Sequence, residues 1–170
     1  MNQAEKTGGP ASQSATMVRI LETDHLQDQL AALAWLKQSP FVKSGSVAVE
    51  GNSFGGIQTV LGAEHGSYCA AIDSAGAAQT WSSSPEIQAL MTRSVQHARV
   101  PIFFFQAEND WDLAPSRTLA AAAKSAGKPY QVRIYPPFGS SKEDGHAFGY
   151  FGSAVWADDV FNFLNRHCLH

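Results

Sequence analysis

The chain has 170 residues, 44% hydrophobic and 16% charged, which is enough for one globular core and excludes a disordered polymer. A formal net charge of -3 offers no basic surface for nucleic acid or an anionic membrane, and no apolar run approaches the ~20 residues of a membrane span. The amino terminus lacks the apolar stretch of a signal peptide, and Cys69 and Cys168 show neither CxxC nor Cys/His spacing, so both are expected to be free thiols in a cytoplasmic protein with no metal and no cofactor.

In chain order, residues 1–20 are mostly small and polar (Gly8-Gly9-Pro10-Ala11-Ser12-Gln13-Ser14-Ala15) and predict an irregular N-terminal segment ahead of a folded domain over 21–170. Asp24 to Gln38 then predicts one amphipathic helix: Leu26, Leu30, Leu33 and Leu36 fall at helical spacing, Asp24 is a candidate N-cap, and Pro40 ends it. The apolar run Ser46-Val47-Ala48-Val49 predicts a strand that leads directly into Gly51-Asn52-Ser53-Phe54-Gly55-Gly56. A strand, a sharp glycine-flanked turn and a helix form the setting that lifts a serine Oγ above the end of a sheet, with the helix amides aimed at it. The plainer alternative is a glycine-rich turn in which Ser53 only caps the helix.

Ser67 to Asp73 predicts a second strand, Pro85 to His97 a helix, and Pro101-Ile102-Phe103-Phe104-Phe105 a strand buried on both faces. That strand empties into a polar loop carrying Glu108, Asp110 and Asp112. Ala114 to Ala126 predicts a helix closed by Gly127, and Tyr130 to Tyr135 a further strand whose following loop holds Asp144-Gly145-His146-Ala147-Phe148-Gly149. Ala154 to His167 closes the chain as a helix with Val155, Val160, Phe161 and Leu164 expected on its core face. Residues 78–84 and 139–144 are the expected flexible loops. The alternation predicts an α/β fold with a mostly parallel sheet of about four strands flanked by helices.

Such sheets place their sites outside the carboxyl ends of the strands, where three of these loops converge. Ser53 would attack an acyl carbonyl, His146 would take and return its proton, and Asp110 would orient and stabilise the imidazolium, with Asp112 and then Glu108 as alternatives to Asp110. The other histidines lie in surface-like or terminal segments. The backbone N–H of Phe54 would receive the oxyanion, and Trp81, Trp111, Phe148 and Phe151 are expected to line an apolar substrate site.

The stretch Gly51 to Thr59, with Gln106-Ala107-Glu108-Asn109-Asp110 and Gly145-His146-Ala147-Phe148-Gly149, resembles the dienelactone hydrolase-like branch of the α/β-hydrolases, and the likeness runs from about Leu21 to Asn165. The order serine, acid, histidine fits that resemblance. It implies a carboxylic ester hydrolase acting through an acyl-enzyme on small to medium esters, with a serine where the namesake enzymes carry cysteine. Only 50 residues precede Gly51, so the strands that usually come before the elbow are expected to be missing, along with the loop supplying the second oxyanion donor; Gly8-Gly9 is a candidate substitute. Losing one donor costs ~100-fold or more in turnover. The strand near Val47 to Val49 would then be an exposed apolar edge, which predicts a homodimer formed there. The alternatives are a weak or inactive hydrolase remnant serving as a binding or dimerisation module, and a fragment of a full-length esterase.

Overall fold

The computed structural model describes residues 10–169 of the chain, the first four of these by backbone alone. Four parallel strands run in sequential order: β1 (Val49–Asn52), β2 (Ala71–Ser74), β3 (Ile102–Ala107) and β4 (Tyr130–Tyr135). Each pair is joined by one helix, namely α3 (Phe54–His65), α4 (Pro85–Gln96) and α5 (Ala114–Ser125). Crossovers of one hand between strands in sequential order put all three helices on one face. Ile57, Val60 and Leu61 of α3, Leu90 and Met91 of α4 and Leu119 of α5 accordingly share one core with Ile102 and Phe104 of β3.

The opposite face is covered by α8 (Ser153–Cys168), reached through the short helices α6 (Lys142–His146) and α7 (Phe148–Phe151). Period-two alternation sends Phe103, Phe105 and Ala107 of β3 to this side, against Val160 and Phe163. Every residue of β3 is buried, as a strand covered on both faces requires. The core face of α8 differs from the expected one. Trp156, Val160, Phe163 and Leu164 pack inward, while Val155 and Phe161 are exposed, because Trp156 and Phe163 find the phenylalanine surface of β3 and turn the helix toward them.

The N-terminal segment also departs from expectation. Helix α1 (Pro10–Ile20) runs through one π-helical turn (Leu21–His25) into α2 (Leu26–Gln38), so Asp24 lies inside the helix and is not its N-cap. Pro10 opens α1 where a missing N–H costs nothing, and Ser39, extended ahead of Pro40, ends α2. Leu21 and Leu26 join the α3–α4 core with Val18 packed beside them. Leu33 and Leu36 cover Val47 and Tyr68.

Two further expectations are corrected. Cys69 and Cys168 are not free thiols: they form a disulfide that ties the residue two before β2 to the last turn of α8. Among the described residues β1 pairs with β2 alone and is a sheet edge, but the strand begins at Val49, and Val47 is buried beneath α2 instead of exposed.

Candidate active site

Ser53 stands between β1 and α3 with φ 59° and ψ -115°, in the positive-φ region that L-residues avoid. Two close approaches explain why glycines surround it. A Cβ on Gly51 would meet the Gly55 carbonyl oxygen at 2.2 Å, and one on Gly56 would meet Asp73 Oδ1 at 2.3 Å and the Gly76 Cα at 2.7 Å. The turn therefore folds sharply and α3 lies close against the end of β2. Phe54 opens α3, so its amide has no acceptor within the helix and is free to donate outward.

Loops at the carboxyl ends of β3 and β4 bring the other two groups to the serine. His146 Nε2 lies 2.7 Å from Ser53 Oγ, and His146 Nδ1 lies 2.9 Å from Asp110 Oδ1. With Nδ1–H donated to the carboxylate, Nε2 is left to accept the serine hydroxyl. Asp110 is buried, and its carboxylate also accepts from the Trp111 N–H at 2.6 Å and from Gln106 Nε2 at 3.1 Å. Of the two alternative acids, Asp112 accepts from the Ala114 N–H at the start of α5 at 2.8 Å, while Glu108 is exposed.

Residues given no role by the sequence hold these loops in place. Asn109 Nδ2 donates to the carbonyls of Phe138 and Ser141, at 2.9 and 2.7 Å, and its Oδ1 accepts from the Phe138 N–H at 2.9 Å. Asn52 Oδ1 accepts from Ser74 Oγ at 2.8 Å while its Nδ2 donates to the His146 carbonyl at 3.3 Å. Ser141 and Asp144 form a capping box at the start of α6. Backbone hydrogen bonds from Ser140 and Ser141 hold the Asp144 carboxyl below its usual range. The signal available was positional, since both asparagines sit at strand ends next to Ser53 and Asp110, where amide side chains can satisfy loop backbone.

The four aromatic residues expected at the substrate site are not brought together there. Trp81 belongs to the core on the crossover-helix side, and Phe148, 2% exposed, is enclosed by Phe105, Tyr135 and Phe138. Trp111 is partly exposed with Lys142 Nζ 5.6 Å from its ring centroid, and Phe151 is 76% exposed. The cavity beside Ser53 measures about 330 Å³ and draws instead on Phe54, Ile57, Ala77, Ile87 and, from α1, Met17. Gly8-Gly9, the candidate second oxyanion donor, lies outside the described residues.

One buried carboxyl lies just under the elbow. Asp73, at the end of β2, is fully enclosed, and burial pushes its pKa up to about 7, partly offset by the Gly76 N–H that Oδ1 accepts at 2.9 Å.

The family model for the dienelactone hydrolase family matches residues 3–159. The chain belongs to that family. Solved structures agree on the architecture of this dienelactone hydrolase family member. An esterase of Pyrococcus furiosus is 16% identical with a TM-score of 0.63, the match covering 84% of this chain and 61% of the esterase. An acylaminoacyl peptidase of Pyrococcus horikoshii is 16% identical with a TM-score of 0.68, covering 89% and 29% respectively. A puromycin-hydrolyzing peptidase of Mycobacterium tuberculosis is 17% identical with a TM-score of 0.66, covering 85% and 26%. The chain thus spans about three fifths of the esterase and under a third of the two peptidases. No curated protein matches. The family match and these structures agree on the parallel-sheet architecture.

Proposed function

We propose that this chain is a serine carboxylesterase acting on small to medium esters through an acyl-enzyme. The observation that carries the reading is the chain of contacts from Ser53 Oγ to His146 Nε2 and from His146 Nδ1 to Asp110 Oδ1, at 2.7 and 2.9 Å. As the serine oxygen attacks the ester carbonyl, its proton passes to Nε2, and Asp110 stabilises the imidazolium. Charge on the carbonyl oxygen is met by the Phe54 N–H at the α3 N-terminus. The tetrahedral intermediate collapses, the C–O bond to the alcohol breaks, and His146 returns the proton to the departing oxygen. Water, deprotonated by His146, then releases the acid from Ser53.

Peptidases share this chemistry, and the uncharged lining of the cavity supports the ester. A free α-amino group bound there would be a cation without a counter-charge, which is costly. Turnover of p-nitrophenyl butyrate, set against hydrolysis of aminoacyl and dipeptidyl nitroanilides, tests the choice; faster cleavage of the anilides would reverse it.

A homodimer through β1 is the second part of the reading, supported by a strand that pairs on one side only among the described residues. Light scattering behind size exclusion checks it, and a clean monomer refutes it. No helix of the described residues is long and apolar enough to cross a membrane. The cytoplasmic expectation rested on the absence of a membrane span and of a signal-peptide stretch in the sequence. The Cys69–Cys168 disulfide favours an oxidising compartment instead.

A further inference from the structure

The cavity at Ser53 is lined by the serine and its neighbour Phe54 but not by His146. In an acyl transfer the leaving oxygen must lie at His146 Nε2 to receive its proton, so the acyl group must point away from the imidazole. The cavity touches Ser53 and Phe54 without touching His146, which suits it to the acyl group. Its apolar wall combines Phe54 and Ile57 of α3, Ala77 beyond β2, Ile87 of α4, and Met17 of α1.

Helix α1 is attached at this wall. Ser14 Oγ is hydrogen-bonded to Ser84 Oγ and donates to Glu86 Oε2 at 2.9 Å. Ser84 is itself the N-cap of α4, accepting from the Ile87 N–H at 3.3 Å. About three turns beyond Ser14, the π-helical turn sets His25 edge-on to Phe54 with ring centroids 5.5 Å apart. The helix is thus held at both ends of the span that carries Met17.

We infer that this site selects uncharged acyl chains of short to medium length, and that Met17 sets the limit. The inference rests on the esterase reading for its chemistry, though not for the shape of the pocket. At the ~30 Å³ that a small group occupies at liquid density, a cavity of about 330 Å³ holds roughly ten heavy atoms, enough for an acyl group of about four to eight carbons with its carbonyl. No charged side chain lines it among the described residues, so the chain it holds is uncharged.

The experiment is a p-nitrophenyl ester series from acetate to laurate on wild type, Met17→Ala and Met17→Trp. In parallel, the binding of n-alkyl methyl ketones of matching length to Ser53→Ala, with and without each Met17 change, is measured by calorimetry. In wild type, kcat/KM should rise about fourfold per carbon up to an optimum between four and eight carbons and then fall. Met17→Ala should move that optimum about two carbons longer and Met17→Trp about two shorter, opposite shifts that loss of folding cannot produce. The ketone affinities should follow the same optimum. Ester turnover with an optimum unmoved by either substitution overturns the inference and leaves the esterase reading intact. No turnover, but ketone binding whose length optimum follows Met17, supports the pocket and removes the esterase reading. Neither turnover nor a length-dependent affinity overturns both.

Discussion

The two sides of Ser53 are built from different material. On the histidine side, buried polar groups fix the geometry: Gln106 and the Trp111 amide hold Asp110, Asn109 stitches the 138–141 loop, and Asn52 grips the His146 carbonyl. On the acyl side, the cavity is bounded by uncharged side chains, apolar ones from Met17, Phe54, Ile57, Ala77 and Ile87 among hydroxyls, and one wall is a helix held by Ser14 on Ser84 and Glu86. The contrast separates chemistry from selectivity. Proton transfer needs positions held within a fraction of an ångström, which saturated hydrogen bonds provide, whereas acyl choice needs only volume.

The largest effects should come from breaking the polar side. Asp110→Asn should reduce kcat about 10³- to 10⁴-fold by leaving His146 in the wrong tautomer. Asp112→Asn should leave kcat within a few-fold and stability within about 0.5 kcal/mol, because an asparagine Oδ1 still accepts from the Ala114 N–H. Steady-state rates and urea melts of the pair check this, and the reverse order of rate losses would make Asp112 the acid. Asn109→Ala should lower kcat about 10- to 100-fold with little change in KM and destabilise by about 1–3 kcal/mol, because it frees the loop carrying His146 and removes three hydrogen bonds to half-buried loop backbone.

Smaller effects should appear in stability. Reducing the Cys69–Cys168 bond should cost about 2–4 kcal/mol, read as a lower urea midpoint with dithiothreitol than without. Asp73 gives a pH signature. Its pKa is near 7 in the folded state against 3.8 for the free group, so the folded protein keeps a proton that the unfolded chain releases. Its contribution is most favourable below about pH 4, falls as pH rises toward 7, and is level above that, a total on the order of a few kcal/mol. Asp73→Asn should flatten this slope in urea melts between pH 4 and 7, and an unchanged slope would contradict the assignment. Smallest of all, Ser14→Ala should loosen α1, broaden acyl selectivity, and change kcat on acetate by less than the Asn109 substitution does.

The sequence disclosed most about the histidine side, because each reacting group is marked locally. Ser53 sits in a strand-to-helix turn whose glycines are required by contacts, and Asp110 and His146 lie just beyond strands β3 and β4. The sheet of four parallel strands was legible from the same alternation. The acyl side was hidden, since α1 begins with small and polar residues and contributes only Met17, Val18 and Ile20 as apolar residues beyond alanine and proline. A disulfide between residues 99 apart leaves no spacing signal. The aromatics near His146 were misplaced for a related reason. Adjacency in sequence puts Phe148 beside the histidine, but the hydrophobic gain of joining Phe105, Tyr135 and Phe138 turns it inward. The face of α8 shifted by the same force.

The central claim is that Ser53 is a nucleophile activated by His146. It is tested most directly by incubating the protein with a fluorophosphonate and reading the adduct by intact mass, beside Ser53→Ala and His146→Ala. One adduct per chain is expected in the wild type, none in Ser53→Ala, and labelling slowed at least about 10³-fold in His146→Ala. A folded wild type that takes up no phosphonate, or one labelled equally well without His146, would contradict it.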